Sequence, residues 1–217
     1  MSRTRVAVLI SGRGSNMAAL IEAAKRPDYP AEIVLVVSNV PDAGGLATAT
    51  AAGIATATAD HRPFGKDRAA FERALQAVLL EHRIDLVCLA GFMRLLTPWF
   101  IGEWPNRMLN IHPALLPSFK GLDTHRRALD AGVKLHGATV HFVVPEMDSG
   151  PIVAQGAVAV HDRDTEAELA ARVLAVEHRI YPLALRLVAE GRVTVEGNRC
   201  RIAKAAAPDA ALIVPQG

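Results

Sequence analysis

The segment Asn110-Ile111-His112-Pro113 holds the pair of side chains best suited to chemistry in this chain. Residues two apart in an extended chain face the same side, so the Asn110 amide and the His112 imidazole are expected to point together. Such a pair of N–H donors can stabilise the oxyanion that forms when a nucleophile attacks a carbonyl carbon. The alternative is a histidine packed in a turn, where it caps backbone groups, and the motif by itself does not distinguish the two.

Asp148 is the carboxylate that could complete this pair, although it follows His112 by 36 residues. It is expected in an irregular loop between two strands, from which it could fold back toward the imidazole. A carboxylate at close range would favour the charged imidazolium near neutral pH. Asp148 could instead hydrogen-bond its own backbone in a turn before Gly150-Pro151, and the spacing leaves both interpretations open.

A glycine-rich loop, SGRGSN at residues 11–16, follows the first predicted strand and opens the first predicted helix. Glycine lets the backbone approach a ligand closely, and the free N–H groups of a helix N-terminus favour an anion. The loop lacks the dinucleotide fingerprint, because Met17 occupies the third glycine position and the second strand ends in Ser38-Asn39 without an acid. It predicts a site for a single phosphate, as in a sugar monophosphate, or else an ordinary turn with an asparagine cap.

The elements that must position these residues alternate in the first half between buried β-rich runs and amphipathic helices. Strands are predicted at 6–10, 33–37, 54–57 and 86–90, and helices at 16–25, 44–52 and 66–81. This alternation is typical of right-handed βαβ units around a parallel sheet. A further strand at 108–111 would place Asn110 and His112 at a carboxyl end, where ligands bind in open α/β sheets.

The second half indicates an antiparallel addition to that sheet. A helix is predicted at 123–131, an antiparallel pair at 136–144 and 152–160, a long helix at 165–190, and a hairpin from 192–195 and 199–202. Thr165 and Glu168 form a capping box for the long helix, which Pro182 is expected to kink. The predicted fold class is α/β, an open, mostly parallel twisted sheet with helices on both faces. One domain is expected over 1–203, followed by a loose C-terminal tail over 204–217.

The composition argues against several classes of function. The 24 basic and 22 acidic residues of the 217 are dispersed and give a net charge of +2, so no nucleic-acid-binding tract is expected. The two distant cysteines indicate a reduced, cytoplasmic protein without a disulfide. The eight histidines show no ligand-like spacing, which predicts no metal, and no apolar stretch is long enough to cross a membrane.

Taken in order, these segments resemble the folate-dependent formyltransferase family. The matching motifs are Ser11-Gly12-x-Gly14-Ser15-Asn16, Ala90-Gly91-Phe92-Met93-Arg94, Asn110-Ile111-His112-Pro113-Ala114-Leu115-Leu116-Pro117, His136-Gly137-x-x-x-x-Phe142-Val143 and Asp148-x-Gly150-Pro151. They span roughly residues 5 to 195, and the ordered set is specific although each motif alone is weak.

The resemblance implies the formyltransferase fold and transfer of a formyl group from 10-formyltetrahydrofolate, as co-substrate, to an amine. Family members that formylate tRNA append a C-terminal barrel, and those that hydrolyse the folate carry an N-terminal regulatory domain. Here the first strand begins at residue 5 and about twenty residues follow position 195. Length and phosphate loop therefore favour the branch that formylates glycinamide ribonucleotide in de novo purine synthesis. A monomer or a homodimer is expected, and the sequence leaves both open.

Carried over position by position, the resemblance makes Asn110 and His112 catalytic, with Asp148 as the acid that tunes the histidine. The residues implied to hold the substrate phosphate and ribose are Gly14, Ser15, Asn16 and Glu177. The residues implied to hold the folate are Arg68, Met93, Arg94, Leu95, Leu96, Asn110, Val144, Pro145, Glu146, Met147 and Asp148.

Two other functions share some of these features. Hydrolysis of the same folate would use water as the acceptor, and a catalytically silent sensor would use only the phosphate loop. The joint presence of Asn110, His112 and Asp148 argues against the sensor, because a sensor does not need them. Hydrolysis and transfer differ in whether formate is released without glycinamide ribonucleotide.

Overall fold

A single seven-stranded sheet forms the centre of the protein, seen in a computed structural model that describes residues 3–206 and 212–214. The strands are β1 (Thr4–Ile10), β2 (Ala31–Ser38), β3 (Ala55–Thr58), β4 (Leu86–Leu89), β5 (Met108–His112), β6 (Leu135–Phe142) and β7 (Ile152–Ala159). Their order is β3-β2-β1-β4-β5-β6-β7, with the first five parallel and the β5–β6 and β6–β7 pairs antiparallel. The predicted mostly parallel sheet with an antiparallel addition is confirmed.

Helices cover both faces of this sheet, as the burial of β1 requires. The helices are α1 (Ser15–Ala24), α2 (Gly44–Ala51), α3 (Arg68–Glu81), α4 (Pro98–Glu103), α5 (Thr124–Asp130) and α6 (Glu166–Ala189). Alternate residues of β1 enter two different apolar clusters, so both faces of the strand are buried. One cluster includes α1 and α6, and the other includes α3 and α4. The predicted covering of both faces by helices is therefore confirmed.

The long helix α6 packs against β6, β7 and α1 and begins with the predicted capping box. The Thr165 side chain accepts from the Glu168 backbone N–H, and the Glu168 carboxylate accepts from the Thr165 N–H. Near its middle, the buried Tyr181 hydroxyl donates to the carbonyl oxygens of Leu89 and Leu109 at 3.0 and 3.2 Å. This bond fixes the helix to the adjacent strands β4 and β5. The helix continues through Pro182, and the expected kink stays a prediction.

The carboxyl ends of β1, β4 and β5 meet at one edge of the sheet, because these neighbouring strands run parallel. The strand order reverses between β1 and β4, which creates a crevice where open α/β folds bind ligands. The Ser11 N–H donates to the Gly91 carbonyl at 3.1 Å across this reversal. The loops after β1 and β4 are therefore held side by side.

A separate hairpin of β8 (Val193–Glu196) and β9 (Arg199–Ile202) follows α6, as predicted. It borders an open cavity of about 500 Å³ whose other wall includes Lys120 and Asp148. Of the predicted tail over 204–217, residues 207–211 and 215–217 lie outside the described residues, and its looseness stays a prediction. Within the described part of the chain, no helix combines the length and apolarity that crossing a membrane requires.

Candidate active site

Asn110 and His112 lie on one face of β5, as their spacing predicts. The intervening Ile111 and the preceding Leu109 point into the apolar cluster on the opposite face. That packing fixes the register of the strand, because a slip by one residue would bury the polar side chains there instead. Asn110 stays partly exposed whereas His112 is buried, so the amide is accessible from the crevice.

Asp148 lies beside His112 rather than in a self-contained turn. Its Oδ2 atom is 3.4 Å from His112 Nδ1, and both side chains are almost fully buried. The Gly121 N–H also donates to Oδ2 at 2.9 Å, which helps to fix the carboxylate. Asp148 has φ of 51°, a left-handed conformation that aspartate tolerates better than most residues. The structure thus brings together all three side chains expected to be catalytic.

Gly150 explains why the loop carrying Asp148 can return so tightly to the sheet. A Cβ atom at this position would lie 1.9 Å from the Phe142 carbonyl oxygen, so no other residue fits without a backbone shift. The adjacent Pro151 carbonyl accepts from the Phe142 N–H at 2.9 Å. The glycine of the Asp148-x-Gly150-Pro151 motif is therefore required by packing. This packing helps to set the position of the Asp148 carboxylate.

The second nitrogen of His112 faces the backbone of the loop after β5. His112 Nε2 is 3.0 Å from the Phe119 carbonyl oxygen, which can only accept. With Asp148 at Nδ1, both ring nitrogens face oxygens that can only accept a hydrogen bond. The Phe119 carbonyl occupies the direction in which Nε2 could donate to a ligand.

His141 is a further member of this site, and the spacing of residues along the sequence did not predict it. Its Nε2 atom is 3.2 Å from Asn110 Nδ2 and 3.8 Å from Asp148 Oδ1. Burial lowers the pKa of His141, and the neighbouring positive groups act in the same direction, while the Phe142 carbonyl and Asp148 oppose this. The missing signal was the β5–β6 register, in which Asn110 lies directly opposite His141 and therefore shares its face.

His136 lies on the other face of β6, as its odd spacing from His141 predicts. Its ring packs edge-on against His125 and Phe119, with centroid distances of 5.4 and 5.8 Å. Burial, with the nearby histidines acting in the same direction, lowers the pKa of His136 to about 4. This imidazole therefore stays neutral above that pH and supports the loop behind His112.

The glycine-rich loop ends at α1, where the phosphate site is expected. Gly14 is the N-cap with φ of 72°, a conformation that glycine adopts without strain. Asn16, in the first turn, donates from Nδ2 to Glu177 Oε2 at 2.7 Å, and both side chains are buried. Burial raises the pKa of Glu177, although the bond from Asn16 opposes this. The residues expected to hold phosphate and ribose thus adjoin each other, with Glu177 supplied by α6.

The residues expected to hold a folate lie along the loops after β4 and β6. Met93, Leu95 and Met147 are more than half exposed, at 63, 62 and 54%. Leu96 packs against the same apolar cluster as Val143, just before the loop at 144–148. These side chains give both loops exposed apolar surface.

The remaining expected folate residues differ in exposure. Arg94 is partly buried, Arg68 is exposed at the start of α3, and Pro145 and Glu146 are exposed in their loop. The Met93 N–H donates to Ser11 Oγ at 2.8 Å, so the segment after β4 is tied to the glycine-rich loop. Among the described residues, no group of three or more histidine, cysteine or acidic side chains could hold a metal ion.

The parallel sheet thus carries a glycine-rich loop and the Asn110, His112 and Asp148 side chains at its carboxyl edge. The chain belongs to the formyl transferase family, whose model matches residues 4–185. Phosphoribosylglycinamide formyltransferase from Escherichia coli is 44% identical over 98% of this chain and 97% of its own length. The crystal structure of glycinamide ribonucleotide transformylase 1 from Symbiobacterium toebii superposes with a TM-score of 0.89 at 47% identity, covering 92% of this chain and 94% of that one. Both of these relatives are matched over nearly their whole length.

Longer relatives contain this domain as one part. The trifunctional purine biosynthetic protein adenosine-3 from Bos taurus is 50% identical over 90% of this chain. The chain spans about a fifth of that protein, 19% of its length.

Proposed function

We propose that this protein transfers the formyl group of 10-formyltetrahydrofolate to the amine of glycinamide ribonucleotide, in the cytoplasmic synthesis of purines. The observation that carries the proposal is the convergence of Asn110, His112 and Asp148 beside a loop suited to a phosphate. The named relatives of matching length support the choice of substrates.

The ribonucleotide would enter with its phosphate at the N-terminus of α1. The backbone N–H groups of Gly14, Ser15 and Asn16 are available there, and the helix dipole favours the negative charge. Glu177 is placed to accept from a ribose hydroxyl, because its carboxylate lies next to Asn16. This position directs the amine of the substrate along the carboxyl edge toward β5.

The folate would lie on the other side of Asn110, between the loops after β4 and β6. Its ring would cover Met93, Leu95, Leu96 and the segment 144–148, removing exposed apolar surface from water. Arg94 and Arg68 supply positive charge for its carboxylates. The formyl carbon then lies between Asn110 and His112, within reach of the amine.

In the reaction, the amine attacks the formyl carbon and converts its carbonyl oxygen into an oxyanion. Asn110 and His112 donate to that oxygen, and loss of one such donor typically costs about 3–4 kcal/mol of barrier. For this, His112 Nε2 exchanges the Phe119 carbonyl for the substrate oxygen, while Asp148 holds Nδ1. The attacking nitrogen loses a proton and the folate nitrogen gains one as the carbon–nitrogen bond breaks, through water or directly. No covalent enzyme intermediate is required.

A coupled assay with purified protein tests this proposal. Formyl folate consumption should require glycinamide ribonucleotide and yield one formylated product for each folate released. Asn110→Ala, which removes an oxyanion donor, should reduce kcat about 100-fold or more. Formate release at the same rate without the ribonucleotide would identify a hydrolase, and binding of both ligands without turnover would contradict catalysis.

A further inference from the structure

We infer that His141, in its neutral Nδ1–H tautomer, is a positioning residue that orients the Asn110 amide toward the substrate. The inference rests on the proposed function, because it assigns His141 a role in the same reaction. It starts from two contacts of one imidazole, with the Phe142 carbonyl at one ring nitrogen and the Asn110 amide at the other.

The first contact fixes the tautomer. His141 Nδ1 is 2.9 Å from the Phe142 carbonyl oxygen, which has no proton to give. Nδ1 must therefore carry the hydrogen in this bond. A neutral imidazole has only one N–H, so Nε2 is left with an unprotonated lone pair.

The second contact fixes the amide. An unprotonated Nε2 accepts a hydrogen bond, so the Asn110 group that faces it at 3.2 Å must be the NH2 end. The opposite orientation would place the amide oxygen against the lone pair, with no proton between two acceptors. The neutral tautomer of His141 thereby selects one of the two orientations of the Asn110 side chain.

That orientation matters because the amide nitrogen carries two hydrogens. One is used by His141, and the second is left to donate elsewhere from a residue that is partly exposed. A flipped amide would present its oxygen more openly and would repel an oxyanion. His141 therefore decides whether Asn110 acts as a donor in the reaction.

Burial supports the neutral form of His141, whose ring is 2% exposed. The charged groups that face it are His112, Lys120 and Asp148, of which only Asp148 favours protonation. Asp148 Oδ1 is 3.8 Å from Nε2, beyond a good hydrogen bond, while its Oδ2 atom accepts from the Gly121 N–H and lies nearer to His112, at 3.4 Å from Nδ1. Asp148 is thus directed toward the imidazole of His112 and leaves that of His141 uncharged.

A double-mutant cycle between His141 and Asn110 tests this role. His141→Leu removes the acceptor and should lower kcat about tenfold or more while KM for both substrates stays within about twofold. His141→Gln, whose side-chain oxygen can accept from Asn110, should restore a large part of that loss. In an Asn110→Ala background, His141→Leu should cost almost nothing further, since the amide that it orients is gone. Single-turnover rates and thermal melting curves are measured for the wild-type protein, the two single variants of the cycle and the double variant.

The result that overturns the inference is an equal loss from His141→Leu in both backgrounds, or no rescue by glutamine. A readout independent of turnover is the ¹⁵N spectrum of the ring nitrogens in histidine-labelled wild-type protein. It should show a protonated Nδ1 and an unprotonated Nε2 for His141, and the reverse tautomer would overturn the inference. If wild-type protein transfers the formyl group but the cycle is additive, only the role of His141 fails and the proposed function stands.

Discussion

His112 is held between two acceptors, the Asp148 carboxylate at Nδ1 and the Phe119 carbonyl at Nε2. Each ring nitrogen therefore faces an oxygen that can only accept a hydrogen bond. In the proposed reaction, Asp148 would set the charge and the direction of the imidazole, and the Phe119 carbonyl occupies the direction in which the substrate oxygen would arrive. Each of these two effects depends on one contact of the His112 ring.

Replacing Asp148 with asparagine tests the first of these contacts with little change in shape. Asparagine tolerates the left-handed backbone of this position, and its oxygen can still accept from Gly121. We expect Asp148→Asn to lower kcat about 100-fold or more and to alter the pH profile, with smaller changes in KM. Steady-state kinetics over a range of pH measure this.

Asp123 provides the matched control, because it has the same left-handed backbone but is exposed at the N-cap of α5. Asp123→Asn should keep the wild-type rate. A fully active Asp148→Asn enzyme with an unchanged pH profile would show that the carboxylate does not tune His112.

At the scale of elements, the site depends on β5, β6 and the loop from β6 to β7. The antiparallel pairing of β5 with β6 brings His141 opposite Asn110, and the loop returns Asp148 to His112. The loop can make this return because Gly150 packs directly on the Phe142 carbonyl. A backbone contact in the sheet thus determines where a functional carboxylate lies.

Gly150→Ala should therefore damage both stability and catalysis. The added methyl would overlap the Phe142 carbonyl, so the loop must move, at a cost of about 1–3 kcal/mol in unfolding free energy. Because Asp148 moves with the loop, kcat should fall as well. Urea unfolding and steady-state kinetics measure the two effects.

Gly102 in α4 is the control, since a methyl group there meets nothing within 4 Å. Gly102→Ala should leave activity unchanged and stability equal or slightly higher, because alanine is the better helix former. Equal behaviour of the two variants would mean that the β6–β7 loop adapts without moving the carboxylate.

The sequence predicted those elements whose signals are local. Buried runs and helical spacing locate most of the sheet and its covering helices, and the capping box marks the start of α6. Helix α4 was not predicted, because its consecutive apolar residues Trp99, Phe100 and Ile101 show no helical spacing. Its start depends on Thr97, whose N–H and hydroxyl both donate to Glu72 of α3.

The site could be predicted only in part, because only its local signals can be recognised in the sequence. Asn110 and His112 follow from the two-residue spacing of one strand. The meeting of Asp148 with His112 and the participation of His141 depend on how distant strands pair, which residue spacing does not encode. Asn16 and Glu177, 161 residues apart, were joined by the family resemblance alone.

At the scale of the whole molecule, the reversal of strand order brings the glycine-rich loop beside the loop after β4. Helix α6 crosses the sheet and places Glu177 beside Asn16 at the end of the glycine-rich loop. The Tyr181 hydroxyl of this helix donates to the backbone of β4 and β5. Separate segments of the chain thus meet at one crevice. The relative positions of these segments depend on the stability of the entire fold, including the packing of His136 behind His112.

That stability should fall in acid because of the buried His136. Its pKa is lowered to about 4 in the folded protein, from 6.5 without burial, so the unfolded chain takes up the proton first. The stabilisation is complete above pH 6.5 and is lost as the pH falls toward 4, by up to roughly 3 kcal/mol. Urea unfolding at pH 7 and pH 4.5 measures the loss.

His136→Gln removes the titrating ring and should reduce this difference between the two pH values. The exposed His161 serves as the control, and His161→Gln should leave the difference as in the wild type. An unchanged pH dependence in the His136 variant would place the acid sensitivity elsewhere in the protein.

The most direct test of the account is a crystal structure with glycinamide ribonucleotide and a folate analogue whose formyl carbon is replaced by a stable tetrahedral centre. We expect one oxygen of that centre at about 2.7–3.1 Å from both Asn110 Nδ2 and His112 Nε2. The Phe119 carbonyl should have left Nε2, and Asp148 should remain at Nδ1. An oxygen that faces solvent, with Phe119 still bound to His112 in the fully occupied complex, would contradict it.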